Sequence, residues 1–197
     1  MSALQAAGLF AIVFALAIAA FLVVAGYNAV VGLRNRADKA WANIEVALRQ
    51  RHDQLPALVA AVRDVMAFER EVLEEVTHQR ARWRVEDPVP AQGAVSEATS
   101  RAVRSLFAVI ERYPEVRSAQ NVLRLQGEIE RLEEQTADRR ELYNDQVFRY
   151  NTAIATLPML LLAPIFGWKP REFFAAGPDA AEPPPVVIRE GQPGDPT

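Results

Sequence analysis

Hydrophobic positions change their rhythm along this chain, and each rhythm predicts a different element. From Ala6 to Gly26 they are unbroken, AAGLFAIVFALAIAAFLVVAG, with no polar side chain. At ~1.5 Å per residue such a helix spans about 30 Å, the thickness of a bilayer core. Beyond Tyr27 the apolar residues recur every three or four positions, the period of a helix with one buried face. No strand-like alternation bounded by turns is found.

The first soluble helix is expected to continue from the apolar run to about Arg51. Its stripe is Val30, Leu33, Ala37, Trp41, Ile44 and Leu48. A break at Asp53-Gln54-Leu55 is expected, with Pro56 in the first turn of the next helix. That second helix carries Leu58, Val59, Val62, Val65, Met66, Leu73 and Val76, and runs to about Glu86. Asp87-Pro88-Val89-Pro90 stops it. A third helix covers about Ala94 to Arg112, with Val95, Ala102, Leu106, Val109 and Ile110 on one side, and ends at Tyr113-Pro114. A fourth, with Ser118 as N-cap, runs through Val122, Leu125, Ile129, Leu132, Tyr143, Val147, Tyr150, Ile154 and Leu157. Short connections make such helices antiparallel neighbours. The predicted class is all-α: an N-terminal transmembrane helix continuing into an antiparallel up-down four-helix bundle of long helices. The predicted units are an anchor over 1–27, a bundle over 28–176 with a membrane-proximal segment at 157–176, and a tail over 177–197. The tail is rich in Pro and poor in buriable residues, a composition that predicts disorder.

Charge changes the picture at the foot of the bundle. No basic side chain precedes the span, which argues against a cleavable signal peptide despite the Ala17-Ile18-Ala19 triplet. Arg34, Arg36 and Lys39 follow the span at once, so the positive-inside rule predicts an outside N-terminus and a cytoplasmic bundle. These residues either set topology or meet anionic headgroups. Tyr27, Trp168, Lys169 and Arg171 complete the expected membrane interface; Phe173 lies beside them. The segment Leu157–Phe174, interrupted by Pro158, Pro164 and Pro170, is too short and broken to span. It is expected to dock on the bilayer surface or to cover the base of the bundle. The net charge of −3 argues against a general nucleic-acid binder.

Candidate chemistry is sparse. There is no Cys, and hence no thiolate site. His52 and His78 are the only histidines, and Glu75-Val76-Thr77-His78 is a lone Glu-x-x-His where a di-iron bundle needs two. The glutamates of the second and fourth helices read as a salt-bridged outer face. No phosphate loop or nucleophile elbow occurs. No catalytic, cofactor or metal residue is therefore assigned. A hydrolase or metal oxidase built on Glu75 and His78 is the least favoured reading.

The amides are more regular. Asn28, Asn35 and Asn43 recur at seven and eight on the first soluble helix, and Tyr143-Asn144 and Tyr150-Asn151 recur at seven on the last. Buried Asn specifies register in helical seams. The expected arrangement is a polar ladder in which Asn28 and Asn35 face Asn151 and Asn144, with Trp41, Tyr143 and Tyr150 ordering the core.

The runs YNAVVGLRNRADKAWANIEVALRQRHDQLPALV, ERYPEV, YNDQVFRYNTAI and IFGWKPREFF resemble the LemA family of bacterial single-pass membrane proteins, over Tyr27 to about Ala176. One departure is LEEQTADRREL, Leu132 to Leu142, where the family usually has a Thr-Glu-Asn-Arg type run. The resemblance implies a bacterial inner-membrane location and a cytoplasmic helical bundle. A member of the family is associated with building magnetosome membranes, and others lie beside membrane proteases or TPM-domain proteins. The expectation for function is a scaffold or adaptor that self-assembles or recruits a membrane-protein partner. The alternative is a membrane-shaping or lipid-binding protein.

Overall fold

The computed structural model describes residues 3–63, 66 and 68–174. Val65 and the tail over 177–197 lie outside them. Among the described residues the fold is all-α: α1 Ala3–Val62, α2 Arg70–Arg82, α3 Val89–Ile110, α4 Pro114–Arg117, α5 Gln120–Ala155 and α6 Met159–Leu162.

The helix α1 is one element of 60 residues. The break expected at Asp53–Leu55 does not occur, and Pro56 lies inside the helix. A mid-helix proline forfeits one hydrogen bond and crowds the preceding turn, at ~3 kcal/mol. Here Pro56 is exposed while Leu55, Leu58, Val59 and Val62 on the other face are buried. Burying such a side chain contributes ~1.5–3 kcal/mol. The four together outweigh the proline. The reversal comes instead between Val62 and Arg70, and α2 is correspondingly shorter than expected.

Other boundaries move for local reasons. Pro90 sits in the first turn of α3, where a missing N–H costs nothing, so Val89-Pro90 starts that helix instead of stopping the previous one. Ser118 does not cap α5; its hydroxyl donates to Glu115 O, and the N-cap position is Ala119. Leu157 falls beyond α5 and is exposed.

α1 and α5 pack antiparallel along most of α5, and α2 and α3 pack on each other at the distal end of α1. Three buried clusters mark successive heights. The distal one gathers Leu55, Leu58, Val76, Leu106 and Ile129. The middle one holds Ala37, Ile44, Leu48, Tyr143, Val147 and Phe174. The lowest joins Val30, Tyr150, Ile154, Met159, Ala163 and Trp168. Below it, α1 contains a window of mean hydropathy 2.9 with none of it buried, long and apolar enough to cross a membrane.

A single helix also removes a length problem. With a break near Arg51, the first soluble helix would be far shorter than its partner. Continued to Val62 it runs roughly 50 Å beyond Tyr27, and the 36 residues of α5 make about 54 Å.

Replacing Pro56 by Ala restores the missing amide. It is expected to raise the stability of the detergent-solubilised protein by about 1–3 kcal/mol, read by thermal or urea melting. An unchanged or lower melting point would mean that a helix starts at Pro56.

Candidate functional site: a clamped strap at the foot of the bundle

The Tyr-Asn heptad on α5 does not face Asn28 and Asn35. It holds the chain that follows α6. Asn151 Nδ2 donates to Arg171 O at 2.9 Å, and Arg171 N donates back to Asn151 Oδ1 at 2.8 Å. Asn144 does the same with Phe174, at 3.2 and 2.9 Å. Each carboxamide thus pairs with a backbone N–H and C=O as a neighbouring strand would. The spacing follows from geometry: seven helical residues rise about 10.5 Å, and three extended residues, 171 to 174, span about 10 Å.

Tyr143 Oη donates to Glu172 O at 3.0 Å. Burial pushes its phenol pKa up, keeping it a donor. Trp41 packs on Tyr143 and Phe174, with centroids 5.5 and 5.9 Å away. Arg171 pairs with Asp38 on α1 at 2.6 Å, and its Cζ lies 5.8 Å from the Tyr150 ring centroid. The strap 168–174 is therefore tied to both long helices.

The expected polar ladder is corrected accordingly. Asn28, Asn35 and Asn43 are exposed; Asn43 takes part only through its carbonyl, which accepts from Arg139. Both partners proposed for Asn28 and Asn35 are engaged by the strap. The interface residues also divide. Tyr27 meets Phe166 and Trp168 at 5.0 and 5.4 Å, but Trp168 is buried and so withdrawn from a headgroup role. Arg171 is withdrawn by Asp38 and Tyr150. Arg34, Arg36, Lys39 and Lys169 remain exposed.

A second polar feature lies higher up. Arg51 is fully buried. Its Nη1 donates to Glu133 Oε1 at 2.7 Å and Ser100 Oγ at 3.0 Å, and its Nη2 to Ser96 Oγ at 2.9 Å. One guanidinium ties α1, α3 and α5. Glu133, expected on the salt-bridged outer face, is half-buried against Arg51. The signal was present, since Arg51 continues the Leu48, Leu55 stripe at spacings of three and four. A cavity of about 360 Å³ beside Ser96, Ser100, Glu133, Thr136 and Arg140 reaches Phe174.

His52, expected at a helix-end turn, is buried mid-helix and stacks on Trp83 at 4.7 Å. Burial, with Arg51 and Arg80 nearby, lowers its pKa from 6.5 to about 3. Glu75 accepts from Gln79, and His78 is exposed on a groove with Glu74. Among the described residues no three His, Cys, Asp or Glu side chains are grouped to hold a metal.

Two outcomes follow. Asn144→Ala with Asn151→Ala is expected to speed hydrogen exchange at the Arg171 and Phe174 amides about ten- to hundred-fold, at ~1 kcal/mol per lost bond; unchanged exchange would refute the clamp. For His52 the neutral form is the one the fold favours. Its contribution is complete above pH 6.5 and is lost as pH falls toward 3, at no more than about 1.4 kcal/mol per unit. His52→Phe should flatten that acid limb of a stability profile, and an imidazole titrating near 6.5 by NMR would contradict it.

Known proteins similar to this chain include magnetosome proteins. Magnetosome protein MamQ of Magnetospirillum gryphiswaldense is 25% identical over 179 residues, covering 77% of this chain and 65% of that protein. Magnetosome protein MamQ 2 of Paramagnetospirillum magneticum is 34% identical over 88 residues, covering 45% of this chain and 31% of its own length. The chain thus spans less than two thirds of either relative. The family model for LemA matches residues 40–188. The chain belongs to the LemA family.

Proposed function

We propose that the protein is a membrane-anchored scaffold that displays its helical bundle on the cytoplasmic side of the bacterial inner membrane. The observation that carries this reading is the continuity of α1. One helix without a joint runs from the apolar span to the distal cluster. A linker would let the bundle wander; a helix fixes its height and rotation relative to the bilayer.

What is displayed sits at the far end. A groove of about 770 Å³ runs between the end of α1 and α2, lined by Val59, Arg63, Leu73, Glu74, Thr77 and His78. Phe68 at the tip is 97% exposed. Val59 stands roughly 50 Å above Gly26 along the helix. An apolar floor with charged walls suits a protein partner better than a small substrate. The partners in this reading are the lipid bilayer, further copies of the chain and a second membrane protein, of the protease or TPM-domain type by family analogy. The relatives named as magnetosome proteins fit a role at a membrane surface.

Purified in mild detergent, the full chain is expected to run as an assembly larger than one protomer, alone or with a co-purifying membrane protein. Light scattering coupled to size exclusion measures this. A strictly monomeric particle with nothing bound would count against the scaffold.

A further inference from the structure

The foot of the bundle carries an apolar surface that no described residue covers. Between α5 and the strap the chain makes a compact hairpin, and the hairpin has two faces. Met159, Ala163 and Trp168 turn inward onto Val30, Tyr150 and Ile154. Leu157, Leu161 and Ile165 turn outward and are 67%, 69% and 75% exposed. Each such side chain left in water forgoes the gain of burial. A contiguous patch of this kind marks an interaction surface.

Its height decides what covers it. Met159 lies directly against Gly26; a Cβ at Gly26 would overlap the Met159 thiomethyl group. Phe166 packs on Tyr27. The hairpin is therefore abreast of the last turn of the apolar run, where Phe21, Leu22 and Val24 are themselves exposed. The exposed side chains of the hairpin and of the apolar run thus share one height. Exposed Arg34, Arg36 and Lys169 follow on the bundle side, the two arginines about 12–15 Å along α1 from Gly26.

The backbone is fit for the same place. Irregular chain in hydrocarbon is tolerated only if its polar groups are satisfied. The amides of Leu160, Leu161, Ala163, Ile165, Phe166 and Trp168 all donate to carbonyls between Thr156 and Ala163, and Pro158 and Pro164 have no N–H to satisfy. Gly167, at φ +66, supplies the left-handed turn that brings Trp168 N onto Ala163 O at 2.9 Å.

We propose that the hairpin 157–167 is embedded in one leaflet beside the anchor, with lipid acyl chains covering Leu157, Leu161 and Ile165. This second membrane contact rests on the reading of α1 as a span. It enters only the leaflet on the bundle side, and it pins the rotation of α1, because the hairpin projects from one side of that helix.

The absence of native Cys makes the test direct. Single variants Phe14→Cys, Leu142→Cys, Leu161→Cys and Ile165→Cys of the full chain carry bimane and are reconstituted in vesicles of phosphatidylcholine and phosphatidylglycerol. All four native side chains are exposed, so the fold tolerates the label. The quenchers are lipids bearing a nitroxide at a shallow acyl position and aqueous iodide. Labels at 161 and 165 are expected to be quenched severalfold more by the lipid nitroxide than the label at 142, and to be sheltered from iodide. If the label at 14 is sheltered but those at 161 and 165 are open to iodide, the embedded hairpin is refuted and the span stands. If the label at 14 is also open to iodide, both fall. If 161 and 165 are sheltered from both quenchers, protein covers the patch, a second copy for example, and the proposal is overturned.

Discussion

Every contact at the foot and tip of this molecule is referred to one ruler, the uninterrupted helix α1. It carries the apolar run, the three buried clusters and the site of Arg51 in a single rigid sequence of heights. Because Pro56 is absorbed and not obeyed, α5 finds a partner of its own length, and its last turns arrive beside Val30. A helix broken near Arg51 would leave the first turns of α5, at Val122, Leu125 and Ile129, without apolar cover. The energetics at Pro56 are therefore decisive for the fold as a whole. One lost hydrogen bond is set against a buried face that must go somewhere.

The register along this ruler is selected by polar groups. Arg51 enters the core with acceptors on α3 and α5 for both of its terminal nitrogens. A shift of either helix would leave the guanidinium buried and unpaired, at a cost of several kcal/mol. Lower down, the carboxamides of Asn144 and Asn151 do the same for the strap. Arg51 lies above the middle cluster, and Phe174, a member of that cluster held by Asn144, reaches the cavity that opens beside Ser96, Ser100 and Glu133.

The sequence disclosed the buried stripes well, because burial and helical period are the same information. Val30 through Leu48 and Val122 through Ile154 lie inward, with only Leu33 and Trp41 partly open. The same continuity hid the reversal after Val62, since Leu58, Val59, Val62 and Met66 keep helical spacing across it. Pro56 is a local signal that a long-range one overrode. The Tyr143-Asn144 and Tyr150-Asn151 pairs announced a seam of two-turn period. They did not announce its occupant, because an amide satisfied by backbone leaves no complementary side chain to find. Arg51 is hidden for a related reason: a charge signals surface unless its place in the stripe, three after Leu48 and four before Leu55, is counted.

The amide clamps have a consequence for what the strap is free to become. They touch only main-chain atoms, so they are blind to the side chains at 171 and 174 and sensitive to imino acids there. Pro170 marks the limit of that freedom. Placed one residue earlier, its ring favours the extended backbone that the first clamp accepts, while its missing N–H falls where neither carboxamide asks for one. In this view the heptad on α5 is a reader of backbone shape with a pitch of three residues. Identity at 171 and 174 is set by other contacts, the Asp38 carboxylate for Arg171 and the Trp41 ring for Phe174, while the clamps keep the reading frame of the strap from slipping.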